Sequence, residues 1–453
     1  MAVTAHNCRL KSGKLVPLRK PSSVRASLIL ENGLGSVGDA NTLHLWKWRD
    51  SRGVQTSFLA FPKVVDVAQG NLADDERDRL FVAGDTGVSW TDADGVEHEN
   101  VPAVYFHDGR NNVTYRRTIL KSALSAPQVT VQGELDESKT SYYMCFFWAW
   151  FSEDGYESPL SPASDVKTLN DGMTVTFGPA ACPADAVGLR VYVSAAGSTD
   201  ATDGIQFFTE RAGSDFAAAQ TAGFSETMRV DALGEREPGI EAPPADLYRI
   251  KYVPGGFYAG AARSMPHTVL FSDIGLVTSW PVAYRYDVKD NIVALAVTSN
   301  TVFALTDGYP WVLSGTAPES MSATVLAGPA ACVSPRGVCV YRNAVYFASN
   351  EGLMVIANSA DAGTVCANLT EKAFTKDQWQ ELNPKSCVMG QFDGALFLYF
   401  RDENGRPLPG LTIDLAEGAD AITRHGWTAR SACVDTATDQ LYFVGEELQE
   451  GGE

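Results

Sequence analysis

The chain has 453 residues, with 36 Lys plus Arg against 55 Asp plus Glu and a formal net charge of −19. An apolar share of 45% with 20% charged residues excludes global disorder, and a pI near 4.8 argues against a protein that grips nucleic acid over its whole surface. A prior of about 150 residues per domain suggests about three domains. No apolar run reaches the roughly 18 residues of a membrane-spanning helix, and the N-terminal stretch lacks the apolar core of a secretory signal.

Residues 1–30 carry Arg9, Lys11, Lys14, Arg19, Lys20 and Arg25 and no acid, so residues 31–453 carry −25. Residues 1–23 read as a basic arm, and opposite potentials favour docking of that arm on the acidic body of another copy. Gly33-Leu34-Gly35-Ser36-Val37-Gly38 matches GxGxxG, but Asp39–Trp48 is not helical and Asp50 is too near for the ribose-binding acid. The expectation is a loop. Ala83–Trp90 resembles the Asp-box hairpin of sialidase-like propellers, a structural turn, with Ala83 and Ser89 departing from the usual Ser and Thr. In Asp92-Ala93-Asp94-Gly95 the glycine sits too early for a calcium loop and no Glu stands at position twelve, so it reads as a β-turn.

A short aromatic-centred strand returns along the chain, as Leu80-Phe81-Val82, Phe257-Tyr258-Ala259, Val302-Phe303-Ala304, Val345-Tyr346-Phe347, Leu396-Phe397-Leu398 and Leu441-Tyr442-Phe443. From Tyr258 to Tyr442 the anchors are 45, 43, 51 and 45 apart. Turn residues precede several of them, such as Gly255-Gly256, Ser299-Asn300, Arg342-Asn343 and Asp393-Gly394. Short strands repeating every 40–50 residues or so are the signature of propeller blades. The 177 residues between Phe81 and Tyr258 break the period. The predicted strands Val129–Glu134, Tyr142–Phe151, Met173–Phe177, Leu189–Ser194, Ile205–Glu210 and Met228–Asp231 fill that gap as a fibronectin type III or immunoglobulin-like β-sandwich, its core supplied by Tyr143, Trp148 and Trp150. The expectation is therefore an all-β chain: arm 1–23, propeller 24–125, inserted sandwich 126–240, remaining propeller 241–445 and acidic tail 446–453, with about six blades. The one helix expected is Lys376–Leu382, with Thr375 as N-cap, Pro384 beyond its end, and Phe374, Trp379 and Leu382 packing it on the ring.

Chemical motifs are sparse. There is no CxxC, GxSxG, HxH or HExxH. The eight cysteines read as free, mostly buried thiols of a protein made in a reducing cytoplasm, and the six histidines as surface or loop residues. Asn112-Val113-Thr114 and Asn368-Leu369-Thr370 match the glycosylation pattern but lack a secretory context. No residue is assigned a catalytic, cofactor-binding or metal-binding role.

Several segments, taken in order, resemble a family of tailed-phage virion proteins. They are Asn7–Leu18, Arg77–Phe81, Pro243–Leu247, Ser279-Trp280-Pro281, Leu305–Trp311 with Ser314-Gly315, Ala331–Ser334 and Phe374–Pro384. The resemblance spans almost the whole chain and implies a tail nozzle or tail tubular subunit. Such a subunit is non-enzymatic and made in the bacterial cytoplasm. It joins a homo-oligomeric ring, often sixfold, below the portal. Its partners are other copies, the portal or adaptor, and tail fibres, with the sandwich turned outward. DNA passes through without sequence-specific binding, and there is no membrane insertion. Relatives begin with a longer leader, so the docking arm is expected to be short. An acidic lumen repels phosphate and lets DNA slide. The alternative is a phage propeller that binds or cleaves carbohydrate as a receptor-binding module.

Overall fold

The computed structural model describes the chain from Asn7 to Leu448 except residues 12–13, 25–26, 31–33, 35, 51, 71–77, 92–96, 108–114, 120–123, 154–156, 184–185, 196–203, 235–240, 329, 360–362, 418–420 and 446–447. Asp92–Gly95, Asn112–Thr114, Arg77, Arg25 and nearly all of the acidic tail lie outside the described residues. The fold is all-β, a propeller-like body with an inserted sandwich.

Five four-stranded antiparallel blades are formed among the described residues. Blade 1 comprises Val65–Gln69, Leu80–Gly84, Ala103–His107 and Tyr115–Ile119. Blade 2 comprises Leu247–Val253, Phe257–Ala262, Met265–Phe271 and Arg285–Asp287. Blades 3, 4 and 5 start at Ile292–Thr298, Val338–Tyr341 and Val388–Phe392 and end at Ser322–Val325, Gly363–Asn368 and Ile422–His425. The aromatic anchors from Phe81 to Phe397 sit in the second strand of a four-stranded blade, with neighbours on both edges and both faces, while Tyr442 sits in the second strand of a two-stranded sheet. Burial on both faces is why the blade strand recurs as a fully apolar run. The turns leading into these strands carry left-handed residues: Arg342-Asn343 at φ 48° and 62°, and Asp393-Gly394 at 48° and 74°. That geometry matches the twist of a two-residue hairpin.

Two smaller sheets complete the ring. An N-terminal one holds Ser27–Leu30, Thr42–Asp50 and Gly53–Phe61, and a C-terminal one holds Ser431–Asp435 and Gln440–Val444. They lie face to face between blades 5 and 1. Phe58 meets Tyr442 edge-on at 5.0 Å, and Ala40, Leu43, Ala60 and Val444 share one core. On its other face the N-terminal sheet buries Trp46 and Trp48 against blade 1, and the C-terminal sheet turns Leu441 and Phe443 to blade 5. Against an expected count of about six, the ring thus holds five full blades and two partial sheets, one from each end of the chain.

The sandwich pairs a three-stranded sheet (Val129–Gln132, Thr174–Phe177, Phe224–Thr227) with a four-stranded one (Lys167–Asn170, Ser141–Ser152, Ala186–Ala195, Ile205–Ala212). Lys167–Asn170 is the strand that the sequence pattern hides, and the last strand lies four residues before its expected place. An Ala-rich helix α1 (Gly213–Ala222) precedes that last strand, where no helix was expected. Its alanines carry high helical propensity but give almost no amphipathic signal. Trp148 packs inside the sandwich. Trp150, two residues further along the same face, leaves the sandwich core and inserts among Phe81, Leu247, Tyr258 and Trp280 of blades 1 and 2. Tyr143 is 57% exposed and belongs to neither core. Trp150 is therefore the seam between sandwich and ring rather than sandwich filling.

Helix α2 (Lys376–Gln380) is shorter than expected and capped as expected. The Gln378 N–H donates to Thr375 Oγ1 at 3.3 Å, and Gln378 Oε1 accepts from the Thr375 N–H at 3.0 Å. Trp379 is fully buried with Phe374 and Leu382, and its indole N–H donates to the Ser349 carbonyl at 2.8 Å.

Candidate interaction surface

The basic arm does not float. Cys8–Lys11 and Lys14–Pro17 form a hairpin against the outer strand of blade 5 of the same chain. The Asn7 N–H donates to the Arg424 carbonyl at 2.8 Å, the Gly426 N–H to Asn7 Oδ1 at 2.9 Å, and the Thr423 hydroxyl to the Cys8 carbonyl at 2.5 Å. Arg9 is buried and its guanidinium lies 3.3 Å from the buried Asp414 carboxylate and 3.1 Å from exposed Asp393. The expected attraction between arm and acidic body is therefore used in cis by the first strand. Within the single chain, Asp414 lies within reach of Arg9, so the first strand meets the acidic body of its own chain. The second strand, Lys14-Leu15-Val16-Pro17, is exposed at every position.

The two ends of the chain are clipped together by polar contacts. Lys47 Nζ meets Asp435 Oδ1 at 2.7 Å, and the Ser431 hydroxyl donates to the Ala40 carbonyl at 3.0 Å. Arg336, from the loop before blade 4, donates to the carbonyls of Asn41 at 3.3 Å and Arg430 at 2.8 Å. Burial and the neighbouring Arg401 and Arg430 depress the Arg336 pKa from its ordinary value. One cation thus holds the backbone that leads into a strand of each closing sheet. Asp66 ties blade 1 to Arg249 of blade 2, accepting from its backbone N–H at 2.9 Å.

Two histidines are not the surface residues expected. His425 is fully buried among Tyr399, Phe397 and Trp427, and burial lowers its pKa to about 4. His44, in the N-terminal sheet, is lowered to about 4 by burial and by Lys251. Both are neutral at pH 7, and no group of three His, Cys, Asp or Glu side chains suited to a metal occurs among the described residues. The eight cysteines are free. Burial pushes the thiols of Cys332 and Cys339 up to about 12, so they stay protonated and poorly nucleophilic at pH 7.

The remaining motifs are structural. Ser36 caps a single turn of 3-10 helix, Val37–Asp39, leading into Thr42–Asp50; no α-helix starts there to receive a pyrophosphate. In the Asp-box-like turn the Thr86 hydroxyl donates to the Val101 carbonyl and accepts from the Val88 N–H, while Asp85 pairs with Arg263 of blade 2. Depressions among the described residues include two shallow ones. One, of about 160 Å³, is lined by Thr298, Thr301, Phe303, Ser314 and Asn343 at the blade 3–4 seam. The other, of about 330 Å³, lies on the sandwich beside Thr209, Glu226 and Arg229. Partial burial opposes the charge of Glu226, but Arg211 and Thr209 outweigh it and hold the carboxyl below its usual range. A carboxylate kept ionised this way is unsuited to donate a proton.

No family model matches the chain and no curated protein matches it. Among solved structures, Hsv2 of Kluyvelomyces marxianus is 9% identical at a TM-score of 0.28, over 60% of this chain and 69% of that one. A puromycin hydrolase is 9% identical at a TM-score of 0.28, over 85% of this chain and 54% of that one.

Proposed function

We propose that the chain is a structural, non-enzymatic subunit of a bacteriophage tail, one of several copies in a nozzle or tubular ring through which DNA leaves below the portal. The observation that carries this reading is where the resembling segments lie. Cys8–Lys11 and Lys14–Pro17, within the first segment, form the docked hairpin. Leu80-Phe81 starts the second strand of blade 1. Trp280, from Ser279–Pro281, is buried between blades 1 and 2 and bonds the Val277 carbonyl at 2.8 Å. Leu305–Trp311 is the turn from the second to the third strand of blade 3, with Thr306 Oγ1 bonding the Tyr309 carbonyl at 2.6 Å. Ala331–Ser334 leads into blade 4, and the Ser334 hydroxyl donates to the Cys387 carbonyl at 2.7 Å. Phe374–Pro384 is the capped helix on blade 5. Three of these segments, through Trp280, Ser334 and Trp379, seat one blade on the next, and the others form turns or edges, as suits a building block.

The net charge of −19 supports a conduit role. A lumen lined with carboxylates repels the phosphate backbone, whereas cationic contacts add salt-dependent drag. Electron microscopy of the purified full chain tests the reading. Closed rings with an acidic inner wall are expected; a monomer that binds or cleaves glycans, or a ring with a basic bore, overturns it.

A further inference from the structure

We infer that the free edge of the N-terminal hairpin, Lys14–Pro17, is the strand through which one copy grips the acidic body of a second copy. This rests on the ring reading above and names the surface it needs. The hairpin is a two-stranded sheet on its own, so the outer edge of Lys14–Pro17 has no strand partner among the described residues. The register fixes which groups face out. The Leu18 N–H donates to the Asn7 carbonyl at 2.9 Å, which makes Arg9–Val16 the next inward-bonded pair and turns the N–H and C=O of Leu15 outward. Pro17, with no N–H to donate, fits only an edge.

Lys14 and Pro17 bound this short stretch and limit what can pair with it, but its middle is apolar and exposed. Leu15 is 56% exposed, Val16 38% and, further along the same segment, Val24 56%. Leu28, 41% exposed, lies on Ser27–Leu30, which pairs on one side only. Exposed apolar edge strands template pairing with another chain unless they are covered. Charge selects the partner. The segment carries Lys14, Arg19 and Lys20, and residues 31–453 carry −25, so another copy of this chain presents the complementary surface. The cis pairing of Arg9 with Asp414 positions the hairpin with its adhesive edge outward.

The test mixes isotopically labelled and unlabelled full-length protein, couples amines to carboxylates with a carbodiimide, and reads the joined peptides by mass. Coupling of Lys14 to Asp or Glu of the differently labelled copy is expected. In sedimentation, Leu15→Pro and Lys14→Glu are each expected to weaken self-association about tenfold, as loss of one edge hydrogen bond or reversal of one interfacial charge implies. At a dilution where the parent is monomeric the thermal transition should stay unchanged, since both positions are then solvent-facing. Coupling of Lys14 only to its own chain's C-terminal glutamates, or variants that associate like the parent, overturns the surface while leaving the ring reading intact. A parent that stays monomeric overturns both, as does one whose Lys14-dependent ligand is duplex DNA rather than a second copy.

Discussion

Arg9 decides how the N-terminus behaves. Its pairing with Asp393 is exposed on the acid's side and contributes little. Its pairing with Asp414 joins two side chains that are 8% and 4% exposed. Removing one partner of such a pair costs about 3–5 kcal/mol because the other charge is left buried. Arg9→Ala is therefore expected to destabilise the protein in urea more than the double variant Arg9→Ala/Asp414→Ala, and an additive double variant would refute the coupling. The histidines give a second prediction at this scale. His425 and His44 have folded pKa values near 4 against about 6.5 when unfolded. A depressed histidine pKa means that the unfolded state binds the proton first. Stability is therefore full above pH 6.5 and falls by about 1 kcal/mol per pH unit per histidine down to pH 4. Urea midpoints at pH 7, 6 and 5 should trace that decline, and His425→Phe, which keeps the ring's place in its aromatic cluster, should remove about half the slope.

Between Lys167–Asn170 and the end of Ser141–Ser152 the sandwich edge is completed by a segment that is not a strand. Ser158, Ser161 and Ser164 recur every third residue, twice followed by proline. The backbone N–H groups of these serines donate to the carbonyls of Trp150, Trp148 and Phe146 at 2.8, 2.9 and 2.9 Å. Their hydroxyls accept from the N–H groups of the same three residues at 3.1, 3.1 and 3.0 Å. The period of three and the prolines indicate a polyproline-like path, in which hydroxyls stand in for the backbone groups that a ladder would supply. Ser161→Ala leaves the Trp148 N–H buried and unsatisfied, and a loss of about 1–3 kcal/mol is expected. Amide exchange should show lost protection at Trp148 itself, while an unchanged rate there would refute the pairing. This element also marks the limit of what sequence reveals. The blades were legible because a strand buried on both faces must be apolar and aromatic at fixed spacing, and the cap of α2 because Thr375 and Gln378 stand at the required offset. The Ser-Pro edge, the Ala-rich α1 and the path of Trp150 were not. They depend on which neighbour a residue meets, and the alternation along Ser141–Ser152 is the same for Trp148 and Trp150. The hairpin's site was half legible, since its charge is visible in the chain but the position of Asp414 is not.

At the scale of the whole molecule, the ring closes by side-chain packing and a few polar clips, with no strand shared between the two terminal sheets among the described residues. A closure of this kind leaves the identity of the chain ends free while requiring that both sheets be present. Both ends also arrive at one place: the Gly426 N–H donates to Asn7 Oδ1 at 2.9 Å, and the Gly426 carbonyl accepts from the Leu448 N–H at 2.6 Å. The residues outside Asn7 and Leu448 can span that gap, since each extended residue covers about 3.3 Å. Joining Glu453 to Met1 and opening the chain in the exposed turn Asp402–Gly405 of blade 5 should therefore preserve every blade contact. The permuted protein is expected to unfold in one cooperative transition within about 2 kcal/mol of the parent, as ends placed in exposed turns usually allow. Deletion of residues 1–61 instead strips the N-terminal sheet and bares Val65, Leu80, Val82 and Tyr105 of blade 1 together with Tyr442 and Val444, and should abolish that transition. If the permutant fails while the deletion survives, closure resides in chain continuity rather than in the packed terminal sheets, and the seven-layer ring is not the cooperative unit.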